Sequence, residues 1–88
     1  HAIPTDRPIE EGEPIIVDMG AKLGGYCSDM TRTMFVGEPK APFKEVYTIV
    51  RRAQLAAQGA LRAGLTGREV DRIARDVIRA AGYGPRFV

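Results

Sequence analysis

Two aspartates, Asp18 and Asp29, are the residues of this sequence best suited to bind a metal ion or to share a proton. They lie on either side of a Gly24-Gly25 dipeptide, and β-prone residues precede and follow that dipeptide. Two β-prone segments joined by two glycines are typical of a β-hairpin with a tight turn. The pattern therefore predicts that the two carboxylates stand on opposite strands of one hairpin.

The predicted turn also sets which side chains share a face of the hairpin. With the two glycines at its centre, Asp18 lies opposite Thr31, and Asp29 lies opposite Gly20. Cross-strand partners share a face, as do residues two apart on one strand, so Asp18 and Asp29 are diagonal neighbours. Shifting the turn back by one residue would make the aspartates directly opposite, still on one face. Two carboxylates within roughly 5–8 Å of each other repel, so the arrangement requires a cation or a shared proton.

Several roles are open to such a pair. A glycosidase needs its two carboxyl groups across an open sugar cleft, which a single hairpin does not form. A calcium loop needs oxygen ligands at alternate positions, and the residues directly after Asp18 lack them. A metal ion shared by both aspartates fits the predicted geometry best. A general acid/base pair stays open, as does a structural role in which one aspartate caps a turn and the other pairs with Arg32.

Glycines, prolines and hydrophobic periodicity divide the chain into a loop, a hairpin and two helices. The irregular N-terminal loop covers residues 1–14, and the hairpin covers 15–36. Apolar residues at spacings of three and four predict helices over 43–63 and 66–81. One hairpin face is apolar apart from a serine and an arginine, so we expect both helices to pack on it. The sequence therefore predicts an α+β fold in which residues 1–88 form part of a single domain.

The second predicted helix has the clearer end signals. Thr66 and Glu69 have the spacing of a capping box, and Gly82 is placed to end the helix. Asp71 and Arg75 form an i,i+4 pair on its polar face, a kind of pair that contributes only about 0.2–0.5 kcal/mol. We expect this arginine-rich face to be solvated.

The composition is that of an ordinary globular chain, with 44% hydrophobic and 27% charged residues and a formal net charge of +2. Basic and acidic residues are interleaved, and no apolar run approaches the about 18 residues of a membrane span, so we predict neither a nucleic-acid nor a membrane partner.

Cys27 is the only cysteine, which fits a reducing, cytoplasmic location, and we expect it to be a small packed thiol. Because the chain begins with His1, we expect it to be an excerpt from a longer polypeptide.

Three segments carry a family resemblance. They are His1-Ala-Ile-Pro-Thr-Asp-Arg7, Ile16-Val-Asp-Met-Gly20 and Gly25-Tyr-Cys-Ser-Asp-Met-Thr-Arg-Thr33. Together they resemble the pita-bread-fold metallopeptidases of family M24. Within that family the chain is more similar to the Xaa-Pro aminopeptidase and prolidase branch than to the methionine aminopeptidases. The resemblance implies a partial pita-bread fold, the N-terminal part of a catalytic domain.

The resemblance assigns roles to individual residues. It implies that Asp18 binds one of two divalent metal ions and that Asp29 bridges both. It implies that His1 is a catalytic residue that contacts the substrate or the oxyanion. By the predicted register Thr31 is placed to hydrogen-bond a metal ligand, which is our own inference. The family completes its site with a later histidine and two later glutamates, so this chain would supply two of five ligands and be inactive alone.

The function implied is metal-dependent hydrolysis of an N-terminal Xaa-Pro peptide bond by the parent protein, a dinuclear aminopeptidase or dipeptidase. Oxygen-rich ligands favour manganese or cobalt, with zinc as a third candidate. The implied substrate is a peptide with proline at the second position. Prolidase-like enzymes are commonly dimers, so the resemblance leaves a homodimer open as the oligomeric state. Three alternatives stay open: a methionine aminopeptidase, a creatinase-like hydrolase, and a non-catalytic module that binds peptides or proteins. Because creatinase-like relatives replace the metal carboxylates, the two aspartates argue against that alternative.

Overall fold

The computed structural model describes residue 3 and residues 5–88. These residues form two compact units, one that ends at Phe43 and one that covers Lys44–Val88. The first unit is a loop followed by a β-hairpin, and the second is largely helical. In chain order the elements are β1 (Pro14–Met19), β2 (Lys22–Leu23), β3 (Tyr26–Cys27), β4 (Met30–Phe35), α1 (Ala41–Ala60), α2 (Gly67–Ala80) and a 3-10 helix (Gly84–Arg86).

The turn of the hairpin lies at the two glycines, as predicted. Gly24 and Gly25 have φ of 57° and 86°, the left-handed region that a type I′ turn requires at both positions. Leu23 pairs with Tyr26 across this turn. The register from β2 and β3 continues into the longer ladder of β1 and β4, so the predicted register is confirmed.

The hairpin is interrupted in its middle, which the sequence did not predict. Instead of one ladder there are two, separated at residues 20–21 and 28–29. The Ser28 hydroxyl accepts a hydrogen bond from the Ala21 N–H at 3.1 Å, while the Ser28 N–H donates to the Ala21 carbonyl at 2.8 Å. A side-chain oxygen has thus taken the place of a ladder carbonyl.

Gly20 lies at the same interruption because the backbones approach each other closely there. A Cβ built on Gly20 would overlap the Ser28 carbonyl oxygen. Gly20 does not have a positive φ, so the constraint here is space and not torsion. Any side chain at this position would force the two strands apart.

The open end of the hairpin is closed by the loop on each side of it. Gly12 is buried, its N–H donates to the Val36 carbonyl at 2.7 Å, and its own carbonyl accepts from the Lys40 N–H at 3.2 Å. Gly12 has φ of 80°, and a Cβ there would press on Glu38 and Lys40. The segments that precede β1 and follow β4 are therefore joined by backbone hydrogen bonds.

An ion pair holds the N-terminal loop next to β1. Arg7 donates to both carboxylate oxygens of Glu13, each at 3.0 Å, and the Glu10 N–H donates to Glu13 at 3.1 Å. The hydrogen bond from Arg7 lowers the pKa of Glu13 below its usual value, with the Glu10 N–H adding to the effect. The same pairing raises the pKa of Arg7.

Helix α1 spans Ala41–Ala60, whereas the sequence predicted 43–63. It begins two residues earlier because Pro42 is tolerated in a first turn, where its missing N–H would have no helical partner. It ends earlier because the Leu61 N–H bonds to Gln58, three residues back, which tightens the last turn.

Helix α2 spans Gly67–Ala80 and has the capping box predicted for it. The Thr66 hydroxyl accepts from the Glu69 N–H at 3.3 Å, and the Glu69 carboxylate accepts from the Thr66 N–H at 2.7 Å. These bonds from Thr66 lower the pKa of Glu69. At the other end Gly82, with φ of 87°, and Tyr83 donate back to Arg79 and Ile78, which is the Schellman pattern of a helix terminus.

Few apolar side chains are buried among the described residues. Only Ala53 and Ile78 of the hydrophobic side chains are nearly inaccessible. On the apolar hairpin face Met19, Met30 and Met34 are 47%, 43% and 52% exposed. The packing of the helices on this face stays a prediction. In the described part of the chain, neither helix combines the length and the apolar character needed to cross a membrane.

The contact between Gly20 and Ser28 predicts the effect of a single methyl group. In the full-length protein, Gly20→Ala should lower the free energy of unfolding by about 1–3 kcal/mol, because the strands must separate to admit the Cβ. Gly59→Ala is the control, since that helical glycine has open space around it and should gain about 0.5–1 kcal/mol. Urea denaturation measures both, and equal stability of the two variants would contradict the proposed overlap.

The Arg7 to Glu13 pair predicts a pH dependence of stability. Because folding lowers the pKa of Glu13 from 4.5, the pair stabilises the protein above pH 4.5, and this contribution disappears as the pH falls through the folded-state pKa. Glu13→Gln should therefore shift the urea midpoint downward at pH 6 and progressively less on acidification. Glu45→Gln, at an exposed position of α1, is the control. A Glu13→Gln shift that stays constant with pH would contradict the ion pair.

Candidate metal centre

Strands β1 and β4 place Asp18 directly opposite Thr31. The Thr31 hydroxyl donates a hydrogen bond to Asp18 Oδ1 at 3.0 Å, so the two side chains stand on the same face of the hairpin. Both residues are exposed. A hydroxyl donor at this distance fixes the orientation of the carboxylate, which is what a metal ligand requires of its neighbours.

Asp29 lies directly before β4, at the interruption of the hairpin. It is not part of a ladder, so the register alone does not fix its face. A Cβ built on Gly20 would lie 3.9 Å from the Asp29 Cα, so the Asp29 backbone lies beside Gly20. Gly20 lies two residues after Asp18 of the neighbouring strand. This placement agrees with the diagonal arrangement expected from the sequence.

The structural alternative paired one of the two aspartates with Arg32, and that part of it is wrong. The Arg32 guanidinium donates to the Thr31 carbonyl at 2.8 Å instead. Asp29 and Arg32 form no ion pair, and no other described residue bonds to the Asp29 carboxylate. Arg32 pairs with Val17 across the ladder and so stands on the face opposite to Asp18.

The donor atoms suit a divalent cation in kind but are few in number. Carboxylate oxygens are the ligands that hard divalent ions prefer. Within the described residues, however, no group of three or more metal-binding side chains comes together. Asp18 and Asp29 can therefore form only part of a metal centre.

Comparisons with known proteins address the family directly. The profile of metallopeptidase family M24 matches residues 1–88, the whole chain. The chain belongs to metallopeptidase family M24.

The most informative M24 relatives are Xaa-Pro dipeptidases and prolidases. The chain is 42% identical over 88 residues to an Xaa-Pro dipeptidase of Pyrococcus furiosus, covering 100% of this chain and 25% of the relative. It superposes on a recombinant prolidase from Thermococcus sibiricus with a TM-score of 0.94 and 44% identity, over 100% of this chain and 24% of that one. For an Xaa-Pro dipeptidase from Bacillus anthracis the TM-score is 0.90 and the identity 48%, over 97% of this chain and 24% of that one.

These matches confirm the α+β class and the partial pita-bread fold that the resemblance implied. The chain spans about a quarter of the length of the relatives it matches. Membership of a metallopeptidase family also implies divalent metal ions as cofactors. The roles of Asp18, Asp29 and Thr31 in this M24 chain stay predictions, and His1 lies outside the described residues.

Sequence reasoning misjudged one M24 motif residue and overlooked the role of another. Cys27 was expected to be packed, but it is exposed, because it lies on the two-residue strand β3 near the tip of the hairpin. From its position in the sequence, Ser28 is only a polar interruption of the apolar face, yet its hydroxyl accepts a hydrogen bond from the Ala21 N–H. The available signal was a serine directly before the aspartate, since such hydroxyls often bond to nearby backbone.

The hydrogen bond between Thr31 and Asp18 gives a prediction for metal affinity. Thr31→Val removes the donor but keeps the shape, so in the full-length protein it should weaken metal binding about 10- to 100-fold. Thr31→Ser keeps the hydroxyl and should bind metal nearly as well as wild type. The matched control is Thr33→Val, on the same face but opposite Ile16. Isothermal titration of the metal-free proteins measures the affinities, and equal affinities for Thr31→Val and Thr33→Val would contradict the role.

Proposed function

We propose that the full-length protein is a dinuclear metallopeptidase that hydrolyses an N-terminal Xaa-Pro peptide bond, with Asp18 and Asp29 as two of its metal ligands. The observation that carries this proposal is the pair of exposed carboxylates on one hairpin, with no cationic partner for Asp29 among the described residues. Two adjacent carboxylates without a counter-charge are stabilised by a cation. The similarity to Xaa-Pro dipeptidases and prolidases supports the substrate class.

Each residue of this chain has a distinct task in the proposal. By the resemblance to family M24, Asp18 would hold one of two divalent ions and Asp29 would hold both. Thr31 holds the Asp18 carboxylate in a fixed orientation. His1 contacts the peptide substrate or stabilises the developing oxyanion. A bound pair of divalent ions supplies Lewis acidity for peptide hydrolysis.

The proposal includes the metal, the assembly and the compartment. Manganese or cobalt is favoured over zinc because the two ligands of this chain are carboxylates, and elemental analysis of the purified protein measures the choice. A homodimer is the proposed assembly, and light scattering tests it. The unpaired Cys27 supports a reducing location such as the cytoplasm.

Replacing Asp29 tests the function. Asp29→Asn keeps the size of the side chain but removes the charge that would bridge two ions. In the full-length protein it should lower the metal content from two ions toward one and reduce the rate of Xaa-Pro cleavage by at least about 100-fold. Removing a residue that only hydrogen-bonds a metal ligand typically costs about 10- to 100-fold in activity, and removing a ligand should cost at least the upper end of that range.

The control for this test is Asp76→Asn, at an exposed carboxylate of α2 that pairs with Arg79. It should keep the metal content and the rate of cleavage. Near-normal Xaa-Pro cleavage with full metal occupancy in Asp29→Asn would refute the assignment of Asp29. A wild-type protein that binds peptides without cleaving them would instead favour the non-catalytic alternative.

A further inference from the structure

The segment after α2 folds back along the helix that it leaves. The Schellman hydrogen bonds at Gly82 and Tyr83 reverse the chain, and the 3-10 helix follows with bonds from Arg86 to Tyr83 and from Phe87 to Gly84, at 3.0 and 3.1 Å. A Cβ at Gly84 would lie 3.2 Å from the Arg79 side chain, so the segment runs close to α2.

Arg75 joins this returning segment to the helix. Its Nη1 donates to the Phe87 carbonyl at 3.0 Å, and the centre of the guanidinium lies 4.8 Å from the centroid of the Phe87 ring. Its Nε donates to Asp71 Oδ2 at 2.6 Å. Asp71 thus orients the Arg75 guanidinium, which contacts both the backbone carbonyl and the aromatic ring of Phe87.

The next ion pair along α2 shows what is particular to Arg75. Arg79 pairs with Asp76 at 3.0 Å, but the side chains are 69% and 56% exposed and the guanidinium has no other hydrogen bond to a described residue. The side chain of Arg75 is only 36% exposed. An i,i+4 ion pair on a helix surface forms without any contact to a residue elsewhere in the chain. The hydrogen bond from Arg75 to Phe87, 12 residues away, is therefore not explained by the pair with Asp71.

We propose that Arg75 is a positioning residue, which fixes Phe87 on α2 and so sets the path of the polypeptide that follows Phe87 in the full-length protein. The proposal rests on the proposed function, because the ligands that complete the metal centre are expected on that later polypeptide. A displacement of about 1 Å at reacting groups can reduce a rate on the order of 100-fold, so an anchor outside the site can affect catalysis.

Arginine is suited to this task and lysine is not. A guanidinium presents several donors in one plane, so Arg75 can bond to Asp71 and to the Phe87 carbonyl while lying over the ring. A lysine would keep the charge and the i,i+4 pair with Asp71 but could not make these contacts together. Arg75→Lys therefore separates the anchor from the ion pair.

The experiment compares Arg75→Lys with the matched control Arg79→Lys in the full-length protein. Amide exchange by mass spectrometry should be about 10-fold faster over residues 84–88 in Arg75→Lys, because the charged hydrogen bond to Phe87 is lost. Its kcat for Xaa-Pro cleavage should fall on the order of 10- to 100-fold with a smaller change in KM, and its metal content should fall. Arg79→Lys should match wild type in all these measurements.

The outcomes distinguish the two proposals. Equal exchange over residues 84–88 in both variants would overturn the anchor. Faster exchange in Arg75→Lys with unchanged kcat and metal content would overturn its positioning role. Phe87→Leu is a second test that does not depend on the folding of Arg75→Lys, because it keeps the carbonyl but loses the aromatic ring. Its exchange over residues 84–88 should be faster than in wild type, by less than the about 10-fold expected for Arg75→Lys. A wild-type protein without metal-dependent cleavage would refute the proposed function, whereas a failure confined to the Arg75 comparison would leave that function standing.

Discussion

The register of the hairpin is the constraint on which the candidate site depends. Asp18 meets Thr31 only because Leu23 meets Tyr26 across the glycine turn, with the same offset in both ladders. A slip of one residue would turn every side chain of one strand to the other face. Two local features resist such a slip, the left-handed glycines of the turn and the bonds between Ala21 and Ser28. The placement of Asp18 beside Thr31 is therefore fixed by backbone geometry.

Local hydrogen bonds, more than a buried core, define the elements of this chain. Only two hydrophobic side chains, Ala53 and Ile78, are nearly inaccessible among the described residues, yet α2 has a complete cap at each end. The base of the hairpin is similarly closed through Gly12. Such bonds specify where an element begins and ends but contribute only about 0.5–1.5 kcal/mol each. In this chain, which spans about a quarter of the length of its relatives, these bonds define the ends of the elements while many apolar side chains stay exposed.

The parts of the structure that were predictable from the sequence are those with a local cause. The glycine turn, the register and the capping box of α2 each follow from a few neighbouring residues, and all are present. The interruption of the hairpin was missed because it depends on how closely two strands approach at Gly20, which spacing does not reveal. The anchor at Arg75 was missed because its partner is 12 residues away and the pair with Asp71 already explained it. Completion of the metal centre needs residues that the described chain does not bring together.

Both central residues of the hairpin turn have left-handed backbone torsions. Gly24 and Gly25 have the positive φ that D-amino acids favour. Beyond each glycine and its two chain neighbours, no heavy atom lies within 4 Å of the position that a Cβ would take. The strain that an ordinary residue would suffer there is thus purely torsional. A D-alanine placed at Gly24 by chemical synthesis would adopt the torsion without strain and would restrict the unfolded chain. The tip that orients both metal-binding candidates is therefore a place where inverted chirality would stabilise a protein made of L-residues.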